Sequence, residues 1–260
     1  LRGWAHSKNA KAPDYKLGLD YKIAGNQTLY PVWGDSTWSG SVASAFSGGD
    51  GSREKPYEIS SAAELAYLAN IVNTQTQAPE YKYYKLTDNI NLGYSEWIPI
   101  GLLGNANQYF YGEFDGNGFA ISDIYMTGEK ENDVGLFGNV KNSIIKNLKI
   151  TGTIESINTT AAVNVGAIVG FSENTEISGC DVSYFSVSGL SAGTSNYSNI
   201  GMVVGKSIGR GISDCVSNDS SINLKKGNFR AGLIAGYSES NISNCSVKSS
   251  EDGLFSTANT

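Results

Sequence analysis

Apolar and small residues recur through the second half of the chain with a long period. A short apolar phrase closed by glycine appears four times: Val134-Gly-Leu-Phe-Gly138, Gly166-Ala-Ile-Val-Gly170, Gly201-Met-Val-Val-Gly205 and Gly232-Leu-Ile-Ala-Gly236. The closing glycines lie 32, 35 and 31 residues apart. A second apolar pair follows each: Ile145-x-x-Leu148, Ile177-x-x-Cys180, Ile212-x-x-Cys215 and Ile242-x-x-Cys245. Periods of this size mark stacked repeats, in which each unit buries its apolar face against the next.

Each repeat has room for about three short strands: the glycine-bounded one, the Ile-x-x-Cys one, and a third such as Tyr184-Phe-Ser-Val187 or Ser220-Ser-Ile-Asn-Leu224. Three strands per turn with short corners make one coil of a right-handed parallel β-helix, since parallel crossovers are right-handed. Equivalent residues then stack at ~4.8 Å. This predicts ladders of Leu136, Ile168, Val203 and Ile234, and of Leu148, Cys180, Cys215 and Cys245. Two inward residues three positions apart break the strand period of two, so a bend is expected within each Ile-x-x-Cys. The intervening pairs, such as Lys146-Asn147 and Ser178-Gly179, suit a turn. Ser217 stands where the other repeats carry Ile150, Val182 and Val247, which predicts a local slip or bulge.

Upstream, Ser61-Ala-Ala-Glu64 has the form of a capping box, and Leu65, Leu68, Ala69 and Val72 follow at helical spacing. A helix from Ala62 to Asn73 is expected, serving as a lid over the exposed first coil. Trp38, Val42 and Phe46 punctuate a small, polar stretch that should lie along this domain's start. Strands are expected from Tyr83 onward, with Asp115-Gly-Asn-Gly118 as a tight turn.

The segment Gly51 to Met126 carries Pro56-Tyr57-x-Ile59, Leu86-x-x-x-Ile90-x-Leu92, Trp97-x-Pro99-Ile100-Gly101 and Gly112-x-Phe-Asp-Gly-Asn-Gly118. With the repeats, these motifs resemble GLUG-motif β-helices over about 225 of the 260 residues. Residues 1–34, with Gly3-Trp4 and Thr28-Leu-Tyr-Pro-x-Trp33, resemble the C-terminal part of the Listeria–Bacteroides repeat, a small β-grasp module of the internalin B type; Pro31 replaces the usual Ala. The expected organisation is therefore a partial module over 1–34 and an all-β solenoid over 35–260, with a capping region at 35–80 and coils at 83–260. The resemblance implies a modular bacterial protein, extracellular and held at the cell surface. It also implies that the chain is cut from something longer.

Composition changes this picture little. Gly, at 31 of 260 residues, suits many turns, while fifteen Tyr and nine Phe exclude disorder. A net charge of −6 excludes nucleic acid as partner, because phosphate binding needs a basic surface; Lys225-Lys226 with Arg230 reads as a solvated loop. No stretch approaches the ~18 apolar residues of a membrane span. The three cysteines share a position that also accepts Leu148, so they read as small core residues, with a disulfide between neighbouring coils the alternative.

Candidate chemistry is sparse. GLUG repeats also occur within immunoglobulin-A-cleaving metalloproteases, but His6 is the chain's sole histidine, so the His-Glu-x-x-His that would hold zinc is missing. Asp88, Glu113, Asp115 and Asp123 fall near the early coils and could form the carboxylate pair of a glycosidase or the base of a polysaccharide lyase. Tyr81, Tyr83, Tyr84, Trp97, Tyr109 and Tyr111 could stack on sugar rings. Turn formation explains Asp115 completely, and core packing and loop anchoring explain most of the aromatic residues. The sequence assigns no catalytic, cofactor-binding or metal-ligating residue, implies no cofactor, and names no ligand-binding residue. It points to a non-enzymatic surface segment, an adhesin or stalk whose loops meet a host protein or glycan. The alternative is a carbohydrate-active β-helix enzyme.

Overall fold

Every Ile-x-x-Cys signature lies at one bend of a parallel β-solenoid. The structure, a computed structural model, describes residues 3–8, 15–16, 25–32, 38–102, 106–127, 132–155, 161–191, 196–249 and 255–257. Two compact units are present, Leu1–Ser39 and Gly40–Thr260. In the first, Gly3–Ala5 pairs antiparallel with Tyr15–Lys16 and Tyr30–Val32.

The second unit stacks about six coils, whose strands form four sheets. Sheet I holds seven strands in chain order: Tyr57–Ile59, Lys82–Leu86, Gly112–Asp115, Ile144–Lys146, Glu176–Ser178, Ile212–Ser213 and Ile242–Ser243. Its register places Tyr84, Phe114, Ile145, Ile177, Ile212 and Ile242 in one column, buried except at Ile242. The expected bend follows directly. Asn147, Gly179, Asp214 and Asn244 adopt φ of 54°, 62°, 54° and 53°, the left-handed region that Gly, Asn and Asp enter at least cost. That rotation turns Leu148, Cys180 and Cys215 into the core.

Sheet II continues from the bend through Ile90–Asn91, Ala120–Met126, Lys149–Glu155, Asp181–Ser191, Val216–Asn218 and Ser246–Lys248. The third expected strand is the far end of this one. Tyr184, at φ 51°, sits in a bulge, and Phe185 and Val187 continue the same strand beyond it. In the next coil Asp219, at φ 44°, divides Val216–Asn218 from Ser221–Lys226. The slip expected at Ser217 does not occur. Ser217 pairs with Val182 and Val247 in unbroken register and is buried, with its hydroxyl unpartnered. Phe255–Thr257 pairs with Ser221–Lys226, in the register that sets Phe255 beside Ile222.

The glycine phrase is finer than expected, because it spans two strands. Sheet III contains Asp133–Val134, Asn164–Gly166, Ser198–Gly201 and Phe229–Gly232; sheet IV contains Phe137–Lys141, Val169–Glu173, Val204–Ile208 and Ala235–Ser238. The two residues between them turn the chain back on itself. A Cβ on Gly166 would lie 2.2 Å from the Val169 carbonyl oxygen, and one on Gly170 would lie 2.6 Å from the Val134 amide. The arch closes only where neither strand carries a side chain. The middle residues Leu136, Ile168 and Val203 are fully buried; Ile234 is half-buried.

The helix runs Ala62–Thr74 and buries Leu65, Leu68, Ala69 and Val72. Ser61 Oγ accepts from the Glu64 amide, while Glu64 Oε2 accepts from the Ser60 amide, one residue before the cap, at 2.7 Å. Of the three early anchors, Val42 is exposed and Phe46 packs on Tyr57 and Tyr67 at ring separations of 4.7 and 5.1 Å. Trp38 belongs to the first unit. Gly48 forms an antiparallel bridge to Glu58, covering the free edge of the first strand of sheet I.

Candidate ligand-binding surface

In-register parallel pairing turns every outward position into a column along the solenoid. On sheet I one such column reads Glu58, Lys85, Asp115, Lys146, Ser178, Ser213, Ser243. Charge alternates through the first four rungs, then only serine follows. Lys146 Nζ lies 2.6 Å from Glu113 Oε1 and 3.6 Å from Asp115 Oδ2.

Two of the four candidate carboxylates, Glu113 and Asp115, thus meet beside a lysine. The contact suits structure better than catalysis. The hydrogen bond that Lys146 donates to Glu113 raises the lysine's pKa and keeps the ammonium charged, so it cannot serve as a base. Asp115 Oδ1 accepts from the Asn117 amide at 2.7 Å and from Asn147 Nδ2 at 3.0 Å, fixing the tight turn. Asp88 is exposed and accepts from its neighbour's amide, while Asp123 is buried in the sheet II bulge and accepts from Asn91.

The candidate aromatic group divides by strand parity. Tyr84 and Trp97 are core residues, and Trp97 Nε1 donates to the Leu136 carbonyl at 3.1 Å. Tyr81, Tyr83 and Tyr111 cluster half-buried, with Tyr81 edge-on to Tyr111 at 5.0 Å. Burial, followed by the Glu113 carboxylate, pushes the Tyr81 phenol up to about 12. Tyr109 lies under the Lys141 ammonium at 5.3 Å. These rings pack on one another and on their own strands.

A different surface emerges beside the arches. The residue after each closing glycine forms a column on sheet IV: Asn139, Phe171, Lys206, Tyr237. On sheet III, Asp133, Asn164, Asn199 and Arg230 are aligned. The first three are linked by amide hydrogen bonds, Asn164 to Asp133 at 2.7 Å and Asn199 to Asn164 at 2.8 Å. At the fourth rung the ladder ends in a cation. Arg230 lies over Tyr197 at 4.5 Å and over Tyr237 at 4.6 Å. Lys206 sits 5.7 Å from Phe171 and 5.8 Å from Tyr237.

Five other cations of the coils, Lys82, Lys85, Lys141, Lys146 and Arg210, pair with carboxylates. Among the described residues, Lys206 and Arg230 have no carboxylate within ion-pair distance, and ring faces hold them instead. Tyr197 is 53 % exposed, and Arg230 is exposed. The Tyr237 hydroxyl donates to Glu239 at 2.9 Å, which raises the phenol's pKa. Asn199, 6 % exposed and one rung before Arg230, has an unpartnered Oδ1. Arg230, expected in a solvated loop, is solvent-exposed but stands on the strand Phe229–Gly232, with its guanidinium over two rings. Aligning the four repeats on their closing glycines would have brought Phe171, Lys206 and Tyr237 into one column.

Cys180, Cys215 and Cys245 are free thiols stacked beneath Leu148, each donating to the carbonyl two residues before it. His6 contacts Gln27 and Tyr15 in the first unit. Among the described residues no three His, Cys, Asp or Glu side chains converge on a metal position, and no helix is long and apolar enough to cross a membrane.

The fold is that of a parallel β-solenoid protein with a helical cap. No family model matches the chain, so its resemblances to GLUG and Listeria–Bacteroides repeats rest on their motifs. It is similar to a candidate Gly-rich membrane protein of Evansella cellulosilytica, with 34 % identity over 129 residues, and to halomucin of Haloquadratum walsbyi, with 28 % identity over 146 residues. These matches cover 49 % and 52 % of this chain but only 14 % and 2 % of the relatives' lengths. A crystal structure of a candidate immunoglobulin A1 protease from Bacteroides ovatus aligns over 82 % of this chain and 80 % of its own, at 16 % identity and a TM-score of 0.42. Likeness at that level informs neither fold nor activity.

Proposed function

We propose that the chain is a segment of a non-enzymatic, extracellular cell-surface protein, an adhesin or stalk whose solenoid holds a binding surface for a host protein or glycan. The observation that carries this reading is the platform of Tyr197, Arg230 and Tyr237, where a ring-stacked cation with no carboxylate partner among the described residues meets solvent. A relative named for a membrane and another named halomucin support a surface setting. Residues 1–34 serve in this reading as a spacer module.

A second reading, a glycosidase or polysaccharide lyase, is favoured by one observation, the approach of Glu113 and Asp115 to Lys146. Incubation with polyuronic and neutral glycans, following binding and chain length together, separates the two. Retention of a glycan at unchanged length is the expected result. Release of shortened chains, abolished by Glu113→Gln, would establish the enzyme.

A further inference from the structure

The platform beside the last two arches has a chemistry of its own. The rings hold the Arg230 guanidinium by their faces, leaving its N–H edges unsatisfied among the described residues. A guanidinium offers a planar fork that matches a carboxylate, and holding it in place removes much of the entropy lost on binding. Lys206 stands on the neighbouring rung of sheet IV and supplies a second positive charge. Tyr197, exposed, and Tyr237 and Phe171, half-buried, offer flat apolar faces of the kind that stack on the C–H face of a pyranose.

We propose that Tyr197, Arg230 and Tyr237, extended by Lys206 and Phe171, form a binding site for a uronic-acid-containing polysaccharide. This inference rests on the display function proposed above and names the ligand class. Sheet IV contributes through three successive rungs, Phe171, Lys206 and Tyr237, which extend about 10 Å along the solenoid axis at the usual strand spacing. A linear polymer with repeating carboxylates and sugar faces meets alternating rings and cations better than a compact ligand would. Charge complementarity adds to this: the chain carries a net −6, so an anionic polymer is repelled elsewhere and attracted where unpaired cations gather. Acidic peptides share the charge but lack the stacking face.

The test is affinity electrophoresis of the whole chain through gels containing polygalacturonate, a neutral glucan, a sulfated glycan or polyglutamate. Polygalacturonate should retard it selectively, less so as salt rises. Arg230→Ala should weaken retention about ten- to a hundredfold, the range expected on losing a charge-assisted bidentate contact. Tyr197→Ala and Lys206→Ala should weaken it less, and Lys149→Ala, at an exposed site on sheet II, should leave it unchanged. Circular dichroism confirms that each variant keeps its sheet content; should Arg230→Ala fail to fold, Tyr197→Ala and Lys206→Ala carry the same test.

No retardation by polygalacturonate, equal retardation by polyglutamate or sulfated glycan, or indifference to Arg230→Ala would each overturn the assignment. Retention by neutral glucan alone would sink the uronate site yet leave the display function standing. Shortening of the glycan would do the reverse, ending the non-enzymatic reading while sparing the site.

Discussion

Gly166 and Gly205, from successive coils, approach so closely that a Cβ on Gly166 would stand 2.8 Å from the Gly205 amide nitrogen. The same Cβ would lie 2.2 Å from the Val169 carbonyl oxygen. Both obstacles are backbone, so neither can swing aside. Gly166→Ala should therefore cost on the order of 3 kcal/mol, the upper range for overpacking. Gly118 offers the comparison: its φ is 79°, and a Cβ there would meet nothing within 4 Å. Gly118→Ala should cost only the left-handed strain, about 1 kcal/mol. Urea unfolding midpoints of the two variants decide whether the arch glycines serve close approach or turn conformation.

The bend residues reverse that logic. Asp214, at φ 54°, is exposed, so replacing it changes conformational preference more than packing. Asp214→Gly should leave stability within a few tenths of a kcal/mol, while Asp214→Val should cost about 1–2 kcal/mol, because a β-branched residue resists the left-handed region. Equal stability of both variants in thermal unfolding would mean that the bend does not set the register.

The solenoid and its bend were legible in the sequence because each repeat satisfies the same packing requirement. Ile145, Ile177 and Ile212 recur at one place since each must fill the same core, and the turn residue after next recurs because the chain must rotate there. The arch was not legible: Gly-x-x-x-Gly around small apolar residues fits a buried strand as well as a fold-back, and only the approach of the next coil distinguishes them. Tyr84 and Trp97 look like candidate sugar platforms by residue type, yet strand parity puts Tyr84 opposite Tyr83 and Lys85, inside the core. The Arg230 platform escaped for the opposite reason. Asn139, Phe171, Lys206 and Tyr237 share a position without sharing a residue type, so a pattern sought by sameness passes over them.

The helical lid makes stability depend on acid. Burial alone would raise the Glu64 pKa, but donation from the Ser60 amide and from the Ser60, Ser47 and Ser61 hydroxyls outweighs it and holds the carboxyl below its ordinary 4.5. A folded-state pKa below the unfolded one means that the charged form stabilises the native state. The contribution is complete above about pH 4.5 and is lost as pH falls through the lower folded value. Glu64→Gln should thus lower stability by about 1 kcal/mol at pH 7, a typical cap contribution. The gap from the parent protein should narrow at pH 3. A gap that stays constant between pH 7 and pH 3 would exclude a charged cap.

The cysteine column makes a last prediction about reactivity. The neighbouring Cys180 thiol, then burial, pushes the Cys215 pKa far up, while burial is the main cause of a smaller rise at Cys245. A thiol reacts through its thiolate, so both effects slow alkylation, and access adds to them. Cys180 and Cys215 are buried and Cys245 is partly open, which orders the rates. In native protein at pH 8, iodoacetamide should modify Cys245 first, with Cys180 and Cys215 reacting only after unfolding in urea. Raising the pH to 9 should speed Cys245 and leave Cys215 protected. Equal labelling of all three in the native state, read by peptide mass, would mean that the column is not part of the core.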